Sequence, residues 1–300
     1  MKFFPVQYTK ESTIWLLDTP GFDDTDRNDT EVLKEIAAYL VMPALYENRE
    51  SKLDGIIYLH RINDVRMGGS AQTNLFMFQK LCGKDALARV ILATTMWEKV
   101  TEDEGSHREA ELKDTDNFWG GMISCGSTVH RHVNTRKSAM DIVEHFVSAG
   151  QRRQGGMVLD LQKEMVDDKL DLNETGAGKE VDNGLAKARD GFQRDIDQLQ
   201  ENLIEAKEQH NEEMIAAVQK KQIEMEGKIE RAERERDRLK ISLEELYKEK
   251  LDSMQQIIDD LRNNPLVRSH PLPDGVDRWT ASMSLFGDKY WFDGQHSGLL

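Results

Sequence analysis

A helical pattern sustained over about 80 residues constrains this chain more than any other feature of its sequence. Residues 183–263 contain no proline, are dense in Glu, Lys, Arg and Gln, and after position 191 have glycine only at Gly227. Such a pattern predicts a coiled coil, and one continuous helix of this length would extend for about 120 Å. Apolar or small residues recur at spacings of three and four, namely Leu185, Phe192, Ile196, Leu199, Leu203, Ala206, Met225, Ile229, Ala232, Leu239, Leu243, Leu246, Ile257 and Leu261.

The apolar stripe of this long helix needs a partner. We therefore expect self-association through residues 183–263. Two alternatives stay open: a solvated single helix, and a helix that folds back on itself or on the globular part, with Gly227 as a weak point. Two successive steps of four, from Ala206 to His210 and from His210 to Met214, are typical of a stutter in the repeat.

Residues 1–150 show the alternation of strands and helices that is typical of an α/β domain. Apolar runs typical of buried parallel strands occur at 13–18, 54–59 and 89–95. Helical patterns occur at 31–40 (with Thr30 as the cap), 70–82, 104–116 and 136–149. This order predicts a mainly parallel sheet with right-handed crossovers.

The remaining segments are shorter. Residues 151–182 form a polar junction with several glycines. After the helical region, Pro265, Pro271 and Pro273 stop the helix. Residues 284–294 then alternate aromatics around a Gly-Asp turn, which predicts a hairpin-like segment within a Pro-containing C-terminal region, 264–300.

Charge and cysteine content limit the partners and the compartment. The net charge of −15 argues against nucleic acid or an anionic membrane as a general partner. No apolar run approaches the length of a membrane span. The only cysteines, Cys82 and Cys125, provide no disulfide framework, which favours a reducing, cytoplasmic location.

The strand at 13–18 ends in a motif with specific chemistry, Asp18-Thr19-Pro20-Gly21-Phe22. In GTPases, an Asp-x-x-Gly sequence after a buried strand contacts the end of the nucleotide. The aspartate holds Mg²⁺, usually through water, and the glycine N–H reaches the γ-phosphate because no side chain blocks the approach.

A second candidate follows the third strand, at Thr94-Thr95-Met96-Trp97-Glu98. In GTPases, an [N/T]-K-x-D sequence reads guanine at this point, and its carboxylate accepts from the guanine N1–H and 2-amino group. Here Met96 stands in place of the lysine and Glu98 in place of the aspartate. The other interpretation is a strand-to-helix turn with a buried Trp97.

Four stretches carry a resemblance to a known family: 17–25, 58–62, 66–70 and 94–97. Over residues 11–148 the chain resembles the septin-like and AIG-type P-loop GTPases, in particular a group of fungal G-domain proteins. The resemblance implies GTP or GDP and Mg²⁺ as ligands, with Asp18 on the metal side. It implies Asp18, Thr19, Gly21, Thr95 and Glu98 as the nucleotide-binding residues. Phe22 stands where Ras-like enzymes have the water-orienting glutamine, so hydrolysis would be slow or would use another group.

The chain departs from this family because no G-x-x-x-x-G-K-[S/T] phosphate loop precedes Asp18. Loss of three charge-assisted hydrogen bonds would cost about 4–9 kcal/mol, or about three to six decades of affinity. We therefore expect an incomplete, N-terminally truncated G domain that binds nucleotide weakly or not at all. By analogy with the family, the missing strand lies between the 13–18 and 54–59 strands, so its absence predicts a gap or a re-paired sheet.

Two weaker signals have ordinary explanations. Residues 173–180 end like a Walker motif, but Glu180 replaces the Mg²⁺-binding Ser/Thr and no apolar strand precedes it, so we expect a flexible turn. Cys125, His130 and His132 do not have the spacing of a closed metal site, so we expect strand or loop residues.

Two functions are consistent with these patterns. The first is a GTP-binding protein of the septin-like/AIG-like class with a coiled-coil tail for self-association. The alternative is a non-catalytic coiled-coil interaction or scaffold protein whose degenerate G domain no longer binds nucleotide.

Overall fold

The structure is a computed structural model that describes residues 1–10, 12–22, 27–42, 53–65, 67–150 and 156–263. It contains two units, Met1–Leu243 and Glu244–Leu300. The hairpin-like aromatic segment predicted at 284–294 lies outside the described residues, as do the three C-terminal prolines.

Two strands near the N-terminus pair with each other. Strands β1 (Lys2–Gln7) and β2 (Thr13–Asp18) are antiparallel, and Pro5 lies opposite Trp15. The connecting turn closes with a hydrogen bond from the Tyr8 N–H to the Ser12 carbonyl (3.0 Å). A strand does occupy 13–18, but the prediction that it is a buried parallel strand is wrong, because β2 is antiparallel to β1 and Trp15 is 64% exposed. The strand is re-paired outside the parallel sheet, which is one of the two outcomes expected above.

Three further strands form a parallel sheet. Strands β3 (Ile56–Arg61), β4 (Val90–Thr95) and β5 (Thr128–Arg131) lie in the order β3-β4-β5. The predicted α/β class and mainly parallel sheet are therefore confirmed, although β5 was not predicted. The central strand β4 is buried along its first five residues, as expected of a strand with neighbours on both edges and helices on both faces.

Four helices accompany the strands at the predicted places: α1 (Asp29–Leu40), α2 (Gly69–Cys82), α3 (Glu102–Asp114) and α4 (Arg136–Gly150). Helix α2 packs on one face of the sheet, where the rings of Phe78 and Tyr58 are 4.9 Å apart. Helix α4 packs on the other face, where Ile142 contacts the cluster of Ile91 and Ala93.

The cap of α1 corrects one detail of the prediction. The Asn28 side chain accepts a hydrogen bond from the Glu31 N–H (2.9 Å), and Thr30 lies inside the helix with its side chain buried. Asparagine is among the strongest N-cap residues and threonine is a weaker one. The helix therefore begins one residue after Asn28.

The predicted continuous helix over 183–263 is wrong, because this region contains three helices: α5 (Gly176–Glu208), α6 (Glu212–Leu239) and α7 (Leu243–Asn263). Helices α5 and α6 form an antiparallel hairpin, which is the folded-back alternative kept open above. The turn lies at 209–211, and Gly227 lies inside α6. None of the described helices is long and apolar enough to cross a membrane.

The hairpin buries the apolar stripe within one chain. Ile196 and Leu199 of α5 form a buried cluster with Val218 and Met225 of α6. Nearer the open end of the hairpin, Arg236 makes two hydrogen bonds to the Asp182 carboxylate (2.6 and 2.8 Å). The stripe that predicted self-association therefore already has a partner in the folded chain.

The residues before the hairpin pack onto the rest of the first unit. Leu159, Leu161, Met165 and Leu172 are fully buried. The buried Gln162 amide donates to the Leu40 carbonyl at the end of α1 (2.7 Å). Thus the described part of the predicted junction, 156–182, contributes apolar side chains to the core despite its polar composition.

Candidate functional site

The Asp18–Phe22 motif follows β2 directly. Asp18 is the last residue of the strand, and Asp18 and Thr19 are exposed. A side chain added at Gly21 would meet no atom of the described residues within 4 Å, so these residues leave its backbone open. Phe22 is half-buried. These features suit a contact with a metal-bound phosphate, although they supply only one part of such a site.

The second predicted group follows the central strand β4. Met96 has a left-handed backbone (φ 61°), which turns the chain out of the strand. The next residue, Trp97, is buried, and the side chains of Met96 and Glu98 are exposed. The Thr95 hydroxyl donates to the His60 carbonyl of β3 (3.3 Å). The loop therefore presents Glu98 and Met96 outward while Trp97 anchors it.

Three elements hold the Trp97 ring. Its Nε1–H donates to the Thr94 hydroxyl (3.0 Å). The Arg131 guanidinium carbon, at the end of β5, lies 4.1 Å from the centre of the ring, within the range of a cation–π contact. On α3, a β-carbon at Gly105 would lie only 2.5 Å from the ring, so glycine permits this close approach. The loop after β4 is thus fixed before any ligand binds.

Arg131 also forms the densest polar network of the sheet's carboxyl edge. It makes two hydrogen bonds to the Glu109 carboxylate (3.0 and 2.8 Å) and one to Glu102 (2.6 Å). Burial raises the pKa of Glu109, but hydrogen bonds from Arg131 and Lys113 outweigh it, and the pKa falls below its ordinary value. Sequence reasoning missed Arg131. The sequence did contain one indication of such a residue: Glu102 and Glu109 lie on the same face of α3, and two neighbouring carboxylates need a cation.

Exposed apolar side chains follow each strand of the parallel sheet. They are Val65 after β3, Met96 after β4 and Val133 after β5. The carboxyl ends of parallel strands meet at one edge of a sheet, which is the usual place for ligands in α/β folds. A cleft at this edge, lined by His60, Ile62, Met67, Arg108 and Phe118, encloses about 10 Å³. That volume holds about one water molecule, so this cleft is too small to enclose a base.

The predicted site residues fall into two groups. Asp18, Thr19 and Gly21 lie at the end of the two-stranded sheet, and Thr95 and Glu98 lie at the end of β4. Among the described residues, no recorded hydrogen bond or ion pair joins one group to the other. The structure therefore leaves the two groups on separate sheets, with Glu98, Asp18 and Gly21 all exposed.

The histidines near β5 have partners other than a metal. The His132 Nδ1 lies 3.0 Å from the Ser138 hydroxyl, and the His130 ring packs against His145 at 5.1 Å. Within the described ranges, no group of three or more His, Cys, Asp or Glu side chains is arranged to hold a metal ion. The role of Asp18 as a Mg²⁺ ligand through water stays a prediction.

The Walker-like stretch at 173–180 begins helix α5. Thr175 caps the helix by accepting from the Gly178 N–H (3.0 Å). The Gly176 N–H donates to both carboxylate oxygens of Glu164 (3.2 and 3.0 Å). A helix N-terminus attracts anions, and here the chain's own Glu164 occupies that position. The expected flexible turn is instead an ordered helix start, and Glu164 competes with any phosphate.

Glu164 gives a pH-dependent prediction. Burial raises its pKa above the ordinary value, and this outweighs the lowering by the Gly176 N–H. The ionised carboxylate therefore opposes folding at pH 7, and this opposition disappears as the pH falls below the ordinary value of 4.5. We expect Glu164→Gln, which keeps an acceptor for Gly176, to raise the urea midpoint of unfolding at pH 7 but not at about pH 3.5.

The control for this prediction is Glu164→Ala, which leaves the Gly176 N–H without its acceptor. It should lower stability by about 1 kcal/mol at pH 7, like the loss of a helix cap. An equal gain for Glu164→Gln at both pH values would show that the charge of Glu164 is not the cause.

Comparison with known proteins gives no family for this chain. No family model matches it, and no curated protein matches it significantly. The resemblance to septin-like and AIG-type GTPases therefore depends on the motif stretches alone.

Proposed function

We propose that this chain is a GTP-binding protein of the septin-like/AIG-like class, in which Glu98 reads the guanine base. The observation that carries the proposal is the exposed Glu98 carboxylate at the carboxyl end of the central strand, in a loop anchored by buried Trp97. A ligand at this edge of a parallel sheet meets side chains from several strands at once. Asp18 and Gly21 remain the candidates for Mg²⁺ and γ-phosphate contacts, but they lie at the end of the other sheet, so the proposal rests on Glu98 and not on them.

The chemistry of Glu98 selects guanine over adenine. A carboxylate offers two acceptors, and guanine presents two adjacent donors, N1–H and the 2-amino group. Adenine presents an unprotonated N1 there, which would leave the carboxylate facing an acceptor. A site built on hydrogen bonds rejects an analogue that lacks the donors far better than an apolar pocket does. The exposed thioether of Met96 supplies an apolar contact for the face of the ring.

For a polypeptide of these 300 residues alone, we expect the affinity to be low, because the part of them that the structure describes supplies no phosphate-loop N–H groups and lysine. The cost of about 4–9 kcal/mol given above would turn a micromolar site into a millimolar one or abolish it. Hydrolysis through an oriented water is not proposed, because Phe22 cannot orient one. The free thiols of Cys82 and Cys125 support a reducing compartment such as the cytosol.

Nuclear magnetic resonance titration tests the base contact at the required concentrations. We expect GDP with Mg²⁺, at about 1–10 mM to match a millimolar Kd, to shift the amide signals of residues 95–98. ADP should not shift them. Glu98→Gln should weaken GDP binding at least about tenfold, because the carboxylate loses its charge and one acceptor.

Asp103→Asn is the matched control, since Asp103 is an exposed carboxylate in the first turn of α3, outside the loop. It should leave the GDP shifts unchanged. Equal shifts with GDP and ADP, or none at all, would contradict the proposed guanine site.

The second candidate is a non-catalytic interaction protein with a degenerate G domain. The α5–α6 hairpin favours it, because the 61 helical residues of α5 and α6 present a largely polar outer surface. Absence of base-selective shifts, together with self-association through residues 183–263, would support this candidate over the first.

A further inference from the structure

The turn between α5 and α6 contains a residue with a strained backbone conformation. His210 adopts a left-handed backbone (φ 51°), a conformation that glycine favours and other residues adopt at a cost. The His210 N–H donates to the Lys207 carbonyl (3.1 Å) and the Asn211 N–H to the Ala206 carbonyl (3.0 Å). These bonds define a Schellman motif with histidine where glycine is the usual residue.

The turn can change conformation without losing packing. Residues 207–214 are all exposed, and the turn contains no glycine or proline. Within the turn, the side-chain contact that would be lost is the cap of α6, the hydrogen bond from the Met214 N–H to the Asn211 side chain (3.1 Å). The contact of α6 with α1, in which Arg238 lies 3.4 Å from Glu31, would pass to the second copy. Nothing in the sequence of the turn prevents it from continuing as a helix.

The contacts of the hairpin are symmetric about this turn. Lys228 lies over the Phe192 ring, and these two residues are equidistant from His210 in the sequence. Asp182 and Arg236, which form the ion pair, are equidistant from Gln209. Two copies with α5 and α6 joined into one helix could therefore lie antiparallel and repeat every one of these contacts between chains.

We propose that α5 and α6 also join into one continuous helix that pairs with the same helix of a second copy, as a swapped antiparallel dimer. The continuous helix, residues 176–239, is about 96 Å long. The proposal deepens the self-association named under the proposed function and does not depend on nucleotide binding. The partner is a second copy of the chain, because each copy carries both α5 and α6 and the contact surfaces of these two helices are complementary to each other.

The energetic balance makes the exchange depend on concentration. When α5 and α6 join into one helix, His210 leaves its left-handed conformation and the turn gains helical hydrogen bonds. Each contact between α5 and α6 then forms between two chains instead of within one. The opposing cost is the lost freedom of two chains that become one particle. Short strained turns of this kind favour domain swapping.

Charge reversal across the ion pair tests the exchange. In Asp182→Arg, or in Arg236→Asp, like charges meet in the hairpin and in any swapped homodimer. In a swapped dimer of one variant with the other, both sites regain opposite charges. The two variants, one with a tag to mark its mass, are unfolded in urea, refolded together at about 100 µM and examined by native mass spectrometry.

We expect the mixed dimer to exceed each homodimer by about tenfold or more. Absence of dimers, or dimers in statistical proportions, would overturn the proposal. The double variant Asp182→Arg/Arg236→Asp restores the pair within one chain and shows by circular dichroism that reversal is tolerated.

If the single variants do not fold, substitutions at His210 decide the question. His210→Gly relaxes the turn and disfavours the continuous helix, so it should weaken wild-type dimerisation by about 30-fold or more across two hinges. His210→Ala should strengthen it. Equal dimer affinities for these variants would overturn the proposal. Neither variant should alter the GDP-induced shifts at residues 95–98, so a failure of the swap and a failure of the guanine site are distinguishable.

Discussion

The Gly178→Ala substitution should lower the free energy of unfolding by about 3 kcal/mol, the upper end of overpacking effects. A β-carbon at Gly178 would overlap the Leu172 carbonyl oxygen. That oxygen cannot move freely, because it accepts from the Thr175 hydroxyl (2.7 Å), and the Leu172 N–H donates to the Ile241 carbonyl (3.0 Å). The helix start must therefore shift or the capping motif must break. Urea unfolding followed by circular dichroism measures the loss.

Two glycines of the same helix provide matched controls. A β-carbon at Gly184 or at Gly191 would meet nothing within 4 Å. Each substitution to alanine removes the entropy cost of an interior helical glycine and should stabilise the protein by about 0.5–1 kcal/mol. If Gly178→Ala were neutral or stabilising like the controls, the close approach at Leu172 would not exist in solution.

The same region shows what sequence patterns convey and what they omit. The helical period over 183–263 was found correctly, because the seam needs apolar residues at a spacing of three and four. An apolar stripe has the same spacing whether it packs against a helix of the same chain or of another chain. The sequence pattern therefore could not identify the partner helix. The helix break at 209–211 was missed as a turn because it contains neither glycine nor proline.

The sheets show a similar division. Strands β2, β3 and β4 were predicted from their apolar runs, but only β4 is buried along most of its length, and β2 lies outside the parallel sheet. Strand β5 was missed because it has four half-buried residues, Thr128–Arg131, with no apolar run. Strand β1 was missed because Pro5 argues against a strand interior. Proline is tolerated here because β1 is an edge strand of the two-stranded sheet. Because β5 was not predicted, the position of Arg131 at its end was not predicted either. Glu98 was predicted because its motif consists of neighbouring residues.

Arg131→Ala should lower the free energy of unfolding by about 2 kcal/mol at pH 7, because it removes the main hydrogen-bond partner of the buried Glu109 carboxylate, although the Arg131 side chain itself is 36% exposed. The Glu109 side chain is only 7% exposed and would lose both hydrogen bonds from the guanidinium, with Lys113 as its remaining cation (3.2 Å). Trp97 would lose its cation–π contact as well. Urea unfolding of wild type and variant gives the difference.

The pH dependence separates the charge pair from packing on Trp97. The folded pKa of Glu109 is below its ordinary value of 4.5, so the stability that this pair contributes is present above pH 4.5 and is lost as the pH falls through the lowered pKa. The effect of Arg131→Ala should therefore shrink at about pH 3. Arg131→Lys, which keeps the charge but not the two-pronged geometry, should give an intermediate loss. A loss of equal size at both pH values would assign the effect to the Trp97 contact, because that contact does not titrate in this range.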